Sequence, residues 1–120
     1  PFSAAGNTSL SIEFGDKIHQ FSQLVRPFPP EKEFTLSYRV NKMQSVGLAQ
    51  VKIIWKQGTL VIGRTTIGPR FCGAPSSSGW QTCAADVKAP PGADRASVRA
   101  QALKGGEGTV YFDSIVLRDH

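Results

Sequence analysis

The sequence has little of what membrane-spanning proteins need. Its 120 residues contain no apolar run of about twenty, the length that a membrane-spanning helix requires, so no contact with a membrane is expected. The first residues also lack the basic and apolar regions of a signal peptide. Localisation therefore has to be inferred from other features of the chain.

Histidine is scarce, and recognisable catalytic motifs are missing. The two histidines are His19 and His120, and no Ser-His-Asp order, His-Glu metal spacing or glycine-rich phosphate loop is present. Glu31 and Glu33 flank a proline-rich stretch, which is typical of a solvated corner. We therefore expect a protein that binds a ligand and is not an enzyme.

Only two cysteines are present, Cys72 and Cys83, in a segment rich in Gly, Pro and Ser. No histidine or second cysteine pair lies near them to complete a metal site, which favours a disulfide between them. A disulfide indicates an oxidising environment, so the protein is predicted to be extracellular or secreted. The alternative is a pair of reduced, buried thiols.

Acidic residues are outnumbered, and the formal charge is +5 at pH 7. A net positive field attracts anionic partners, such as an acidic glycan or a nucleic acid. However, Lys and Arg are scattered, without a basic tail, an Arg/Gly-rich tract or an aromatic RNA-binding segment, so nucleic acid is not expected. The alternative is a basic surface that serves only solubility.

What the sequence does contain is short segments in which apolar and polar residues alternate between Gly, Pro and Asn. No segment keeps a helical period for three turns. The pattern predicts one domain over residues 1–120, an all-β antiparallel sandwich or jelly roll of about eight strands. The predicted strands cover residues 10–14, 18–25, 34–41, 50–55, 59–67, 80–87, 96–102 and 109–117.

The connections and faces follow from the same pattern. A proline-rich stop is predicted at residues 26–30, a hairpin turn at Gln57-Gly58 and a long loop at residues 68–79. The last strand is apolar on both sides and is predicted to be central. Alternation places these side chains in the core: Phe34, Leu36, Tyr38, Val40, Val51, Ile53, Trp55, Ala96, Val98, Ala100 and Tyr111.

Two stretches carry a family resemblance. The first runs from Gly79-Trp80-Gln81-Thr82 through the Pro-Pro-Gly-Ala turn at residues 90–93 to Val98-Arg99, and the second is residues 108–117, GTVYFDSIVL. Together they resemble the C-terminal half of jelly-roll carbohydrate-binding modules with a galactose-binding-like fold. The resemblance implies a non-catalytic module that binds a polysaccharide, with a catalytic domain elsewhere in the same polypeptide.

The resemblance also implies a structural calcium, because the Asp of the last strand commonly helps hold one in that family and Asp113 matches it. Calcium takes six to eight oxygen ligands, and Asp119 or Glu13 could contribute. The alternative is an Asp113 that accepts hydrogen bonds from backbone N–H groups. Family members usually begin with a strand bearing Asn and Phe-Glu, which residues 1–7 do not match, so that strand either lies upstream of Pro1 or is altered here.

Sugar binding in such sandwiches uses a sheet face or the loops at one end. If the strands share a sheet, the polar side chains opposite the core form one cationic, amide-bearing surface. Trp80 follows the long loop and is expected either at the rim of a groove or as a structural plug between the sheets. Arg pairs bidentately with a carboxylate or sulfate, which favours an acidic polysaccharide carrying uronate or sulfate groups. The candidate carbohydrate-binding residues are Arg39, Gln50, Lys52, Trp80, Arg99 and Gln101.

Two alternatives stay open for this surface. Each of these side chains could belong to an ordinary solvated face. The same sandwich could also serve as an extracellular adhesion or protein-interaction domain, because fold does not fix function.

Overall fold

The computed structural model describes residues 9–25, 33–43 and 45–119. The predicted stop at residues 26–30 and the unmatched segment 1–7 lie outside the described residues. Within the described part, nine strands and one short 3₁₀ turn, Pro69–Phe71, follow one another along the chain. The strands are β1 (Ser9–Glu13), β2 (His19–Val25), β3 (Glu33–Asn41), β4 (Ser45–Val46), β5 (Ala49–Gln57), β6 (Leu60–Ile67), β7 (Trp80–Lys88), β8 (Arg95–Ala102) and β9 (Glu107–Asp119).

The strands form two antiparallel sheets. One sheet has the order β1-β9-β3-β7, with the two-residue strand β4 paired to β9, and the other has the order β2-β8-β5-β6. Because successive strands cross between the sheets, this is the topology of a jelly roll. The predicted all-β sandwich is confirmed, and β9 lies between β1 and β3, the central position predicted for it.

The core lies between the two sheets and is built from the inward faces that alternation predicts. Phe34, Leu36 and Tyr38 of β3 are buried on one side, and Val51, Ile53 and Trp55 of β5 on the other. The rings of Phe34 and Trp55 meet across the core with centroids 6.0 Å apart. The Trp55 indole N–H donates to Thr65 Oγ1 at 2.9 Å, so its single polar atom is satisfied at almost full burial.

Tyr38 joins the two sheets by a hydrogen bond. Its hydroxyl donates to the Ile67 carbonyl at 2.7 Å, although Tyr38 belongs to β3 and Ile67 ends β6 in the other sheet. Burial raises the pKa of Tyr38 to about 12, because the charged phenolate would lose its hydration there. Tyr38 is therefore held neutral and donating.

A disulfide closes the loop that precedes β7. Cys72 and Cys83 are bonded, as predicted from the sequence, and the two residues also form an isolated β-bridge. Cys83 is fully buried opposite Tyr38 in the β3–β7 register. The bond thus ties the loop to the same region of the core that Tyr38 crosses.

A bulge changes which side chains of β9 face the core. Pairing with β3 shifts between Ser37 and Arg39, and Ser114 takes the left-handed conformation with φ 54°. Val110 and Phe112 are buried before the bulge, whereas the buried residues after it are odd-numbered, Ile115 and Leu117. The prediction that Tyr111 faces the core is wrong, because even-numbered residues point inward at that point and Tyr111 is 40% exposed.

The ionisation of Tyr38 predicts a loss of stability at alkaline pH. The folded pKa lies above the unfolded value of 10.0, so the stabilisation is present below pH 10 and is lost as pH rises towards 12. At pH 11 the loss should be about 1.4 kcal/mol relative to pH 8. Urea unfolding of the parent and of Tyr38→Phe at both pH values measures it; the same pH dependence in the two proteins would contradict the assignment.

The disulfide should add stability mainly by restricting the unfolded chain. Its sequence separation of 11 residues corresponds to roughly 2–3 kcal/mol in the loop-entropy model. We expect the Cys72→Ser/Cys83→Ser double variant to unfold at lower urea concentration by that free energy, with an unchanged slope. Reduction of the parent should reproduce the effect, and a variant as stable as the parent would show that the bond adds nothing.

Candidate functional site

Four of the six predicted binding residues meet on one surface, the outer face of the sheet β2-β8-β5-β6. Lys52 lies directly opposite Arg99, and Gln50 directly opposite Gln101, in the register of β5 and β8. Their neighbours Val51 and Ala100 point into the core, so all four polar side chains point outward. We call this surface the basic face.

Three glutamines form a hydrogen-bonded chain across the basic face. Gln50 Nε2 donates to Gln101 Oε1 at 2.8 Å, and Gln101 Nε2 donates to Gln20 Oε1 at 2.7 Å. The chain runs across three adjacent strands, because Gln20 of β2 is paired with Gln101 as well. It leaves amide N–H groups of Gln20 at one end and the Gln50 carbonyl at the other for hydrogen bonding.

Charge on the basic face has one sign. The strands β2, β5, β6 and β8 contain no Asp or Glu, but they contain five basic residues, Lys52, Lys56, Arg64, Arg95 and Arg99. Arg95 lies 3.8 Å from the preceding Asp94. Within the described part of the chain, no ion pair is formed by Lys52, Arg64 or Arg99.

The centre of the basic face is covered although it points outward. Gln101 is only 5% exposed, and Ser97 and Ile54, two rows further along β8 and β5, are also buried. Outward side chains reach such low exposure only where longer neighbours rise beside them. Along the middle strands, the buried residues Gln101, Ser97 and Ile54 therefore flank Lys52 and Arg99, which are partly exposed.

Arg39 and Trp80 lie on the outer face of the other sheet. The Arg39 guanidinium sits over the Trp80 ring, 4.9 Å from its centroid, and lies 3.7 Å from the Asp113 carboxylate. The condition that these strands share a sheet is therefore met for β5 and β8 but not for β3 and β7, so Arg39 and Trp80 do not belong to the basic face. Trp80 is half-buried, with its ring occupied by Arg39.

On this opposite face, which we call the balanced face, charges of opposite sign are paired across strands. Glu33 lies opposite Lys88, and Arg39 opposite Asp113. The Asp86 carboxylate accepts a hydrogen bond from Thr35 at 2.7 Å. Opposite charges paired across strands stabilise a sheet. The four strands β1, β3, β7 and β9 contain six acidic and three basic residues, so this sheet offers no net positive field to an anionic ligand. The two outer faces thus differ in kind.

The surroundings of Asp113 do not favour a cation. A guanidinium at 3.7 Å already offsets the negative charge of this carboxylate. Among the described residues, no group of three or more His, Cys, Asp and Glu side chains is arranged to hold a metal ion. Calcium at Asp113, with help from Glu13 or Asp119, stays a prediction that these neighbours do not support.

Sequence reasoning missed several members of the basic face. Gln20 completes the glutamine chain, and Arg64, Lys56 and Arg95 extend the positive charge. In the sequence, each of these residues is a polar residue at an alternating position in or directly beside a predicted strand, and this was the signal that could have identified them. Only the knowledge that these strands share a sheet turns those positions into one surface.

The comparisons with known proteins bear on the fold. No protein-family model and no curated protein matches this sequence. Among solved structures, a CBM4 carbohydrate-binding module is similar with a TM-score of 0.65 and 18% identity, over 98% of this chain and 77% of that one. The chain has the fold of a carbohydrate-binding module.

Two further structures show the same sandwich inside larger proteins. The enzymatically active domain of bacteriophage CBA120 tailspike protein 4 has a TM-score of 0.68 and 17% identity, and the match covers 95% of this chain but 15% of that chain. The CBM22-1–GH10 modules of a Clostridium thermocellum xylanase, complexed with xylohexaose, are similar with a TM-score of 0.56 and 10% identity. That match covers 99% of this chain and 29% of that chain. At these identities the likeness concerns the fold alone. In the described segments, no helix has both the length and the apolar character needed to cross a membrane.

The calcium prediction can be tested by thermal unfolding. A metal that binds only the folded state raises the melting temperature by mass action, so calcium should raise it above the value in EDTA. Asp113→Asn should abolish that rise, whereas Asp86→Asn, on the same face, should keep it. Identical melting temperatures of the parent in calcium and EDTA would contradict a calcium site.

Proposed function

We propose that the chain is a non-catalytic carbohydrate-binding module whose basic face binds an acidic polysaccharide, one that carries uronate or sulfate groups. The observation that carries the proposal is the charge of this face, with five basic residues and no acidic residue in its four strands. The module fold supports the carbohydrate part of the proposal, and the charge supports the acidic part.

The register of Lys52 and Arg99 supports a binding role for this face. Like charges directly opposite each other in an antiparallel pair destabilise the sheet, typically by a few tenths of a kcal/mol up to about 1 kcal/mol. Lys52 and Arg99 are in that relation, while the other outer face pairs opposite charges. The repulsion between the two cations is relieved when an anion binds between them, so the unfavourable pair favours anion binding.

The chemistry of the face suits a charged sugar chain. Arg99 can form two parallel hydrogen bonds to one carboxylate or sulfate, and Lys52 adds a point charge beside it. The neighbouring glutamine chain offers amide donors and acceptors for hydroxyl groups.

The remaining parts of the proposal concern the setting of the module. The disulfide is consistent with secretion, because such bonds persist in oxidising compartments. A xylanase with CBM22-1–GH10 modules combines this fold with a further module in one chain, which supports attachment of our chain to a glycan-degrading enzyme. We assign catalysis to such a partner domain and binding to the sandwich.

Binding and its dependence on salt test the proposal. Affinity for polygalacturonate should be measurable at low salt and should fall steeply towards physiological ionic strength, because exposed charges are screened. Binding to a neutral glucan should be weaker and nearly independent of salt. Lys52→Gln and Arg99→Gln should each weaken polygalacturonate binding about tenfold, as expected for one charge-assisted contact.

A matched control separates the two faces. Arg39→Gln removes the same kind of cation from the balanced face and should leave polygalacturonate affinity unchanged. Neither Lys52→Gln nor Arg99→Gln should lower the melting temperature of the free protein, because each relieves a like-charge pair. Equal losses of affinity in Arg39→Gln and Arg99→Gln would contradict the assignment of binding to the basic face.

A further inference from the structure

The basic face continues beyond the glutamine chain into an apolar row. The Leu103 N–H donates to the Leu48 carbonyl at 2.9 Å, so the register of β5 and β8 extends one residue past Ala49 and Ala102. By alternation, Leu48 and Leu103 point to the same side as Gln50 and Gln101. Ile18 precedes β2 in the equivalent position, two residues before Gln20.

These apolar side chains are open to solvent. Ile18 is 51% exposed and Leu48 is 59% exposed, and Leu103 between them is half-buried. Three aliphatic side chains in line at the end of a polar face are not needed by the core, which is closed below them by Ala49 and Ala102. They form an apolar row beside the glutamine chain that is accessible from solvent.

Three kinds of row therefore follow one another along the same strands. The aliphatic row is Ile18, Leu103 and Leu48; the amide row is Gln20, Gln101 and Gln50; the cationic row contains Arg99 and Lys52. Successive rows are two residues apart, which is about 6.8 Å in an antiparallel strand. Such a distance is within the span of two neighbouring sugar rings.

We propose that the ligand of the basic face is an acidic glycan that also carries N-acetyl groups, bound with its carboxylate or sulfate on Arg99 and Lys52, its acetamido group on the glutamine chain and its acetyl methyl on the aliphatic row. This inference rests on the proposed function and specifies its substrate class.

The amide row fits an acetamido group better than it fits a charge. Such a group has one N–H donor and one carbonyl acceptor. The Gln50 carbonyl, on β5 beside Leu48, can accept from the N–H of one such group, and the Gln20 amide, on β2 beside Ile18, can donate to the carbonyl of another. Gln101 is held by both neighbours and is 5% exposed, so the chain is fixed before a ligand arrives. Pre-ordered partners reduce the ordering cost of binding.

The charge pattern excludes a plain neutral chitin-like ligand as the best fit. Without an anion, Lys52 and Arg99 would stay opposite each other without compensation while the ligand displaced their water. Conversely, a uronate polymer without acetyl groups would leave Ile18 and Leu48 in water. A chain with both groups satisfies the three rows together.

The experiment compares hyaluronan oligosaccharides, which carry both groups, with polygalacturonate, which carries carboxylates alone, and with chitohexaose, which carries acetamido groups alone. Binding is measured calorimetrically at one ionic strength for the parent, Leu48→Ser, Ile18→Ser and the control Leu60→Ser. Leu60 is similarly exposed, at 63%, but lies in the hairpin at the opposite end of the sheet. All three variants replace exposed side chains, so folding is preserved, and circular dichroism checks it.

We expect Leu48→Ser and Ile18→Ser to weaken hyaluronan binding about fivefold each, the equivalent of roughly one lost methylene contact, and to leave polygalacturonate binding unchanged. Leu60→Ser should change neither, and chitohexaose should bind more weakly than hyaluronan. Equal effects of Leu48→Ser on the binding of both anionic ligands, or no effect on the binding of either, would overturn the assignment of the acetyl group. The proposed function would still stand in that case if the parent bound polygalacturonate. If the parent bound neither hyaluronan nor polygalacturonate, both the acetyl assignment and the proposed function would be overturned.

Discussion

The antiparallel register of β5 against β8 is the constraint on which the proposed site depends. It sets Lys52 against Arg99 and Gln50 against Gln101, and it is fixed by the buried residues between them, Val51 and Ala100 among others. A slip of β5 by one residue would turn Gln50 and Lys52 into the core and Val51 and Ile53 outward. The free energy of burying the core therefore also holds the like charges in place.

The two outer faces of the sandwich differ in how their charged residues are arranged. On the sheet β1-β9-β3-β7, charges of opposite sign lie across from each other, and Arg39 is further held by Trp80. On the sheet β2-β8-β5-β6, basic residues accumulate without acidic partners within its strands. This separation of charge between the two faces is the observation on which the proposed ligand-binding role of the basic face rests.

Alternation predicted most of the fold and the direction of most side chains. It identified the jelly roll, the burial of Trp55 and Tyr38, and the outward position of Lys52, Arg99 and the glutamines. It failed for Tyr111, because the bulge at Ser114 shifts the inward positions from even to odd numbers and makes the whole segment look apolar on both sides. A one-residue insertion in a ladder has no clear sequence signal when the bulged residue is serine.

Which strands share a sheet could not be read from periodicity either. In a jelly roll, consecutive strands cross between sheets, so Arg39 in β3 and Lys52 in β5 are separated although both point to solvent. The sequence therefore grouped six residues that the fold divides between two faces. The same division brings Gln20, distant in sequence, into hydrogen-bond contact with Gln101.

The central claim is that an anionic glycan lies on the basic face. Amide chemical shifts of the ¹⁵N-labelled protein, recorded during titration with a uronate oligosaccharide, locate the ligand directly. The account predicts concentrated shifts along β2, β8 and β5, strongest around Gln20, Lys52 and Arg99. Shifts confined to Arg39, Trp80 and Tyr111 on the balanced face would contradict it.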